Sequence, residues 1–178
     1  MNALTERIIQ KQEDALGAPL DYLRTIAAAS PAAFVKFGLA MPLAGHRRAV
    51  AAGPWHLARL AATRVQDCGT CVQIVVNQAL ADGVPAATLR AALDGRPDAL
   101  AEDERLALGY GEAVAARSDS APERVEVVRQ RLGEAALAEL ALAVATAQLF
   151  PILKRGLGQS VACALVEVDV DSGRGAGQ

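Results

Sequence analysis

Cys68 and Cys71 are the residues of this chain whose type and spacing best suit them to chemistry. They follow the polar lead-in Thr63-Arg64-Val65-Gln66-Asp67 and precede an apolar, helix-forming tail that runs to Leu80. Two thiols in a Cys-x-x-Cys pair at the first turn of a helix lie close enough to form a disulfide. The positive end of the helix dipole there favours a thiolate. Helical geometry puts Cys68, Cys71, Val72, Val75 and Ala79 on one stripe, so the pair opens onto an apolar wall. Asp67 works the other way, because a neighbouring carboxylate disfavours a second anion. Two other readings fit the same thiols. They are small buried residues in an alanine-rich core, or half of a zinc site. Zinc needs two more ligands from His46, His56 and Cys163, and none has finger-like spacing. His56 is either a helix-terminal histidine bonded to backbone or water, or a base for Cys71. No cofactor and no metal are expected.

The elements that hold these residues are helices. The chain has 178 residues, enough for one domain with a sizeable core. Its composition is 52% hydrophobic but only 3% aromatic, so Ala, Leu and Val must build that core, as in closely packed helices. Lysine and arginine number 18 against 20 acidic residues, a net charge of −2 without a basic stripe, which argues against nucleic acid. The N-terminus reads as a helix start rather than a signal peptide. The apolar run Leu140 to Phe150 is too short to span a bilayer, so no membrane segment is expected. An odd number of cysteines gives no secreted disulfide framework, and a cytoplasmic location follows as the expectation.

Periodicity and punctuation divide the chain. Leu4, Ile8, Ile9 and Leu16 mark a first helix ended by Gly17-Ala18-Pro19. Leu20, Leu23, Ile26 and Ala27 mark a second. Ser30-Pro31 reads as an N-cap and first helical position of a third, which Pro42 and Gly45 interrupt. His46-Arg47-Arg48 reads as a solvated basic cluster. A helix from Gly53-Pro54 through Trp55, Leu57, Leu60 and Val65 breaks at Asp67-Cys68-Gly69, and the cysteine helix ends at Gly83. A short helix holds Leu89, Ala92 and Leu93. Glu102-Asp103-Glu104 opens the next, whose stripe is Leu106, Tyr110, Ala113 and Val114. Val125, Val128 and Leu132 follow, stopped by Gly133. Two last helices, separated at Pro151, pass through Leu137, Leu140, Ala141 and Val144, then Leu153, Leu157, Val161, Ala164 and Leu165. Trp55 and Tyr110 read as packing residues, Cys163 as a buried or interface residue, and Lys154-Arg155 as a solvated pair. Val166 to Val170 is the only strand candidate. The fold class is all-α, with 1–168 as a single domain and 169–178 as a disordered tail.

The helix-break-helix around Cys68 and Cys71, with Gly83-Val84-Pro85 and a short Leu-rich helix after it, resembles the alkylhydroperoxidase AhpD-like branch of the carboxymuconolactone decarboxylase family. The likeness is clearest over residues 54–94. Leu137 to Gly158 is similar to that family's C-terminal helical pair. The resemblance implies an AhpD-like helical bundle that works as a homo-oligomer. Members with peroxidase activity carry Glu-x11-Cys-x2-Cys-x3-His, in which the second cysteine attacks the peroxide, the first resolves it, and Glu and His relay protons. Here Cys71 matches the attacking thiol and Cys68 the resolving one, while His56 stands at the Glu position and Val75 at the His position. The implied function is a thiol-disulfide redox protein, a weak alkylhydroperoxidase or dithiol-dependent reductase, with Cys71, Cys68 and His56 in the site. Its substrate would be a small hydroperoxide or organic molecule, and its reductant a lipoyl-bearing or thioredoxin-like dithiol protein. The rival expectations are a decarboxylase-like lyase or isomerase on a small organic acid or lactone, and a non-catalytic helical oligomer.

Overall fold

The computed structural model describes residues 3–159 and contains nine α-helices, two short 3₁₀ turns and no strand among them. The helices are α1 (Ala3–Leu16), α2 (Asp21–Ala29), α3 (Pro31–Ala40), α4 (Ala52–Val65), α5 (Gly69–Ala81), α6 (Ala86–Leu93), α7 (Glu102–Ala116), α8 (Ala121–Leu132) and α9 (Glu134–Gly156). The all-α expectation therefore holds. Cys163, the strand candidate at Val166–Val170 and the tail lie outside the described residues.

Most boundaries sit where the punctuation put them. Ser30 Oγ accepts the Ala33 N–H at 3.3 Å and Pro31 opens α3. After α5, the N–H groups of Gly83 and Val84 return to the carbonyls of Leu80 and Ala79, and Gly83 takes φ +82°, the left-handed stop that glycine adopts without strain.

The C-terminal half corrects one expectation. Pro151 does not separate two helices: α9 runs unbroken through it for 23 residues. Proline there removes one backbone hydrogen bond and crowds the carbonyl four residues earlier, a penalty of about 3 kcal/mol in a helix interior. Burial outweighs it, because Leu140, Ala143, Val144 and Ala147 pack into the core before the proline and Leu153 packs after it. Leu137 to Gly156 is thus one helix, not a helical pair. As a single rod it is also long and apolar enough to cross a membrane by length and composition, unlike the shorter run read from sequence. In the fold its apolar face packs on α4, α7 and α8.

Helix α4 is the centre. Every residue from Pro54 to Thr63 is buried, and α4 packs against α5, α7 and α9. Its closest crossing is with α7 at Gly111, where an added Cβ would stand 2.3 Å from the Ala58 carbonyl oxygen. One core cluster joins α4, α7, α8 and α9 through Ala58, Ala107, Tyr110, Val128 and Leu140. A second joins α4, α5 and α6 through Leu57, Leu60, Val76 and Leu89. A third, around Ile9, Leu20, Tyr22 and Leu23, joins the N-terminal helices to Phe150 and Leu153 of α9. In α1 only Ile9 is buried, and Leu4 and Ile8 face solvent.

Glu139 of α9 ties down the segment that enters α4. Its buried carboxylate accepts the N–H groups of Arg48, Ala49 and Val50 at 2.8, 2.9 and 3.1 Å. Burial pushes its pKa up, but the three backbone donors more than offset this and hold it below the ordinary value.

Candidate functional site

Asp67 makes the break between α4 and α5. Its φ of +52° is left-handed, a conformation that Asp tolerates better than most residues, and it turns the chain sharply after Val65. Cys68 then becomes the N-cap of α5 and Cys71 falls in the first turn. The two sulfurs are bonded to each other, with the Cα atoms 5.3 Å apart. Cys68 is half-buried and Cys71 only 6% exposed. Because the Cys68 side chain does not cap the helix, the first N–H groups of α5 keep their positive potential for the sulfur of Cys71.

Cys71 lines a cleft of about 860 Å³. Helices α1, α2 and α3 form one side of it, α4 and α5 the other, and the end of α9 closes it near Phe150 and Lys154. Phe34, Phe37, Ile74, Val75 and Phe150 make its walls apolar, in keeping with the stripe read for Val75.

The ionisable group beside the thiol comes from the far end of the chain. Lys154 Nζ lies 3.7 Å from Cys71 Sγ and 5.5 Å from the centroid of the Tyr22 ring. Burial lowers its pKa, and Asp21 acts in the opposite direction. The solvated-pair reading therefore fails for Lys154, which is half-buried against the sulfur, and holds for exposed Arg155. Arg155 Nη2 donates to the Gln66 carbonyl at 2.9 Å.

His56 lines the same cleft but is 1% exposed and has both ring nitrogens engaged. Nε2 stands 2.9 Å from Asp82 Oδ2, and Nδ1 stands 3.4 Å from Arg59 Nη1. Since Arg59 can only donate, Nδ1 accepts and the proton sits on Nε2, donated to Asp82. Burial pushes the His56 pKa down to about 4, with the Asp82 hydrogen bond opposing that and Arg59 and Arg47 reinforcing it, so the ring is neutral near pH 7. The His56 hydrogen bond in turn holds the Asp82 carboxyl below its ordinary value.

Arg59 is the residue that sequence reading passed over. It is 6% exposed, its guanidinium carbon lies 4.4 Å from the centroid of Trp55, and Nη2 donates to Gln78 Oε1 at 2.7 Å. Burial pushes its pKa down to about 10, and Asp82 partly offsets that. A signal was present, since Arg59 is a lone charge inside the apolar run Leu57-Ala58-Arg59-Leu60-Ala61 of a helix buried on all sides. Asp82 gave a second signal: an anion at a helix C-terminus opposes the dipole unless something else holds it. Trp55, buried as expected of a packing residue, also lines the cleft. Exposed His46 lies apart from the site, 3.8 Å from Glu139. Among the described residues no cluster of three His, Cys, Asp or Glu side chains could hold a metal ion.

No family model matches this chain, and neither a curated protein nor a solved structure matches it.

Proposed function

We propose that this protein is a thiol-disulfide redox enzyme that reduces a small apolar hydroperoxide at Cys71 with electrons from an external dithiol. The observation carrying the reading is the Cys68–Cys71 disulfide at the start of α5, with Cys71 in an apolar cleft beside the Lys154 ammonium. In the reduced state, the helix N-terminus and Lys154 both favour the Cys71 thiolate. The thiolate attacks the terminal peroxide oxygen, the O–O bond breaks, and the leaving alkoxide takes a proton from Lys154. Cys71 becomes a sulfenic acid. Cys68 then attacks the Cys71 sulfur, its proton leaves with the hydroxyl as water, and the disulfide forms.

Reduction begins at the more exposed sulfur. A dithiol (the lipoyl or thioredoxin type suits this chemistry) attacks Cys68 and expels Cys71 as a thiolate, and the proton of the attacking thiol restores the Lys154 ammonium. Lys154 lowers the basicity of that leaving group and so speeds the exchange. The second donor thiol releases Cys68 from the mixed disulfide, and its proton returns Cys68 to the thiol. A homo-oligomer belongs to the same proposal, with α3, which buries no residue and exposes Val35 and Leu39, as the face a second copy would cover.

The test is hydroperoxide consumption with dihydrolipoamide as reductant. Wild-type protein turns over, Cys71→Ser does not, and Cys68→Ser stops after one equivalent. Equal rates in wild type and Cys71→Ser would end the proposal. Inert thiols together with a lactone-dependent activity would point instead to the decarboxylase-like chemistry.

A further inference from the structure

Two residues that line the cleft carry side-chain donors without an acceptor. Arg59 Nε and Trp55 Nε1 are both buried, and neither has a hydrogen-bond partner among the described residues. Both belong to residues at least nine-tenths buried, at 6% and 4% exposure, and both residues line the cleft. A guanidinium has five N–H donors, and Arg59 directs two of its nitrogens to His56 and Gln78. No carboxylate of the described residues lies within ion-pair distance of it. Two buried donors without an acceptor, on residues that line the cleft, call for a group that only accepts.

The local charge says how much negative charge such a group brings. Arg47 and Arg59 are the cations here and Asp82 is the anion. Asp82 is engaged by His56 and, at 3.4 Å, by Arg47. His56 is neutral and contributes none. Lys154 serves Cys71. One positive charge is left over, which matches a monoanion and leaves a dianion uncompensated.

We propose that Arg59 and Trp55 anchor the carboxylate of an apolar monocarboxylic acid whose hydrocarbon runs past Ile74 and Phe37 toward Cys71. This rests on the hydroperoxidase reading for its chemistry and names the substrate class as a hydroperoxide of such an acid. The spacing suits it. Gln78, which holds Arg59, lies about two turns down α5 from Cys71, or roughly 10 Å along the axis. A carboxylate held at Arg59 therefore places the reacting oxygen well along a hydrocarbon chain and not beside the acid group. Carboxylate recognition by a planar guanidinium is directional, so this end also fixes the orientation of the substrate.

Trp55 is the only tryptophan of the chain, and its fluorescence reports the anchor directly. The experiment titrates the disulfide form with octanoate, 1-octanol and octyl phosphate. Octanoate is expected to bind about tenfold tighter than 1-octanol. That margin disappears in Arg59→Met and is partly kept in Arg59→Lys. Equal affinity for octanoate and 1-octanol in the wild type overturns the inference without requiring any variant to fold. Tighter binding of octyl phosphate than of octanoate overturns it as well. No thiol chemistry enters this titration. Octanoate binding without peroxide turnover would sustain the carboxylate anchor while removing the redox reading. Turnover with the same KM for a fatty-acid hydroperoxide and its methyl ester would remove the anchor and keep the redox reading.

Discussion

Lys154 Nζ stands 3.7 Å from Cys71 Sγ although 83 positions separate the two residues. The contact joins the last turn of α9 to the first turn of α5, where a cation and a helix N-terminus act on one sulfur. Removing the cation should leave the fold intact and weaken the thiolate. In reduced Lys154→Met, the Cys71 pKa should rise by about one unit or more, and alkylation by iodoacetamide at pH 7 should slow about tenfold. A pH–rate profile of single-thiol proteins carrying Cys68→Ser, with and without Lys154→Met, measures it. Superimposable profiles would show that the ammonium does not tune the thiol.

His56 makes stability depend on pH. Its pKa is about 4 in the fold against 6.5 in an unfolded chain, so between those values the unfolded state binds a proton that the native state does not. Stability is therefore fully present above pH 6.5, falls as pH drops toward 4, and loses about 3 kcal/mol from this residue. Urea midpoints at pH 7 and pH 4.5 check this. His56→Gln should be less stable at neutral pH but should lose less on acidification. An unchanged difference between the two pH values in that variant would assign the acid sensitivity elsewhere.

Val75 lies one turn beyond Cys71, on the same stripe and in the wall of the cleft. A histidine there adds a proton relay next to the sulfur. Val75→His should raise hydroperoxide turnover with a dithiol reductant, while costing about 1–3 kcal/mol of stability for burying a polar ring among Leu57, Leu60 and Val76. Peroxide kinetics and a denaturation curve on the same sample report both effects. A folded variant with no gain in rate would mean that Lys154 already supplies the proton or that peroxide is not the substrate.

The Glu139 carboxylate should be one of the costliest polar groups to remove. Glu139→Ala strands three backbone donors in the segment that enters α4 and should destabilise the protein by roughly 3 kcal/mol, read as a lower urea midpoint. Because its pKa is depressed in the fold, the stability it supplies is present above the usual carboxylate range and is lost as pH falls below it. A midpoint within experimental error of wild type would mean that water replaces the carboxylate at no cost.

Local chemistry was the legible part of this protein. Ser30, Gly83 and Gly133 act through neighbouring residues, so a reader of the sequence can place the ends of α3, α5 and α8 from them. The position of the cysteines in the first turn of α5 was legible for the same reason. Pro151 was misread because its local penalty is real and only distant packing overrides it. The pairing of the ionisable groups around the cleft was illegible for a related reason. Lys154 reaches Cys71 from another helix, Glu139 reaches Arg48 across 91 positions, and the lone charge of Arg59 takes its meaning from the burial of α4 on every side. Periodicity reports which face of a helix is apolar. It does not report which two helices will meet there.

Pro151 divides α9 mechanically even though it does not end it. The proline supplies no N–H to the Ala147 carbonyl, and Lys154 rides on the short piece beyond that gap. Rows of side chains on α4 and α7 clamp the long piece before it, so the two pieces need not open at the same rate. Amide exchange of residues 152–156 should then outpace that of 140–147, and the ammonium beside Cys71 would be carried on a joint rather than on a fixed post.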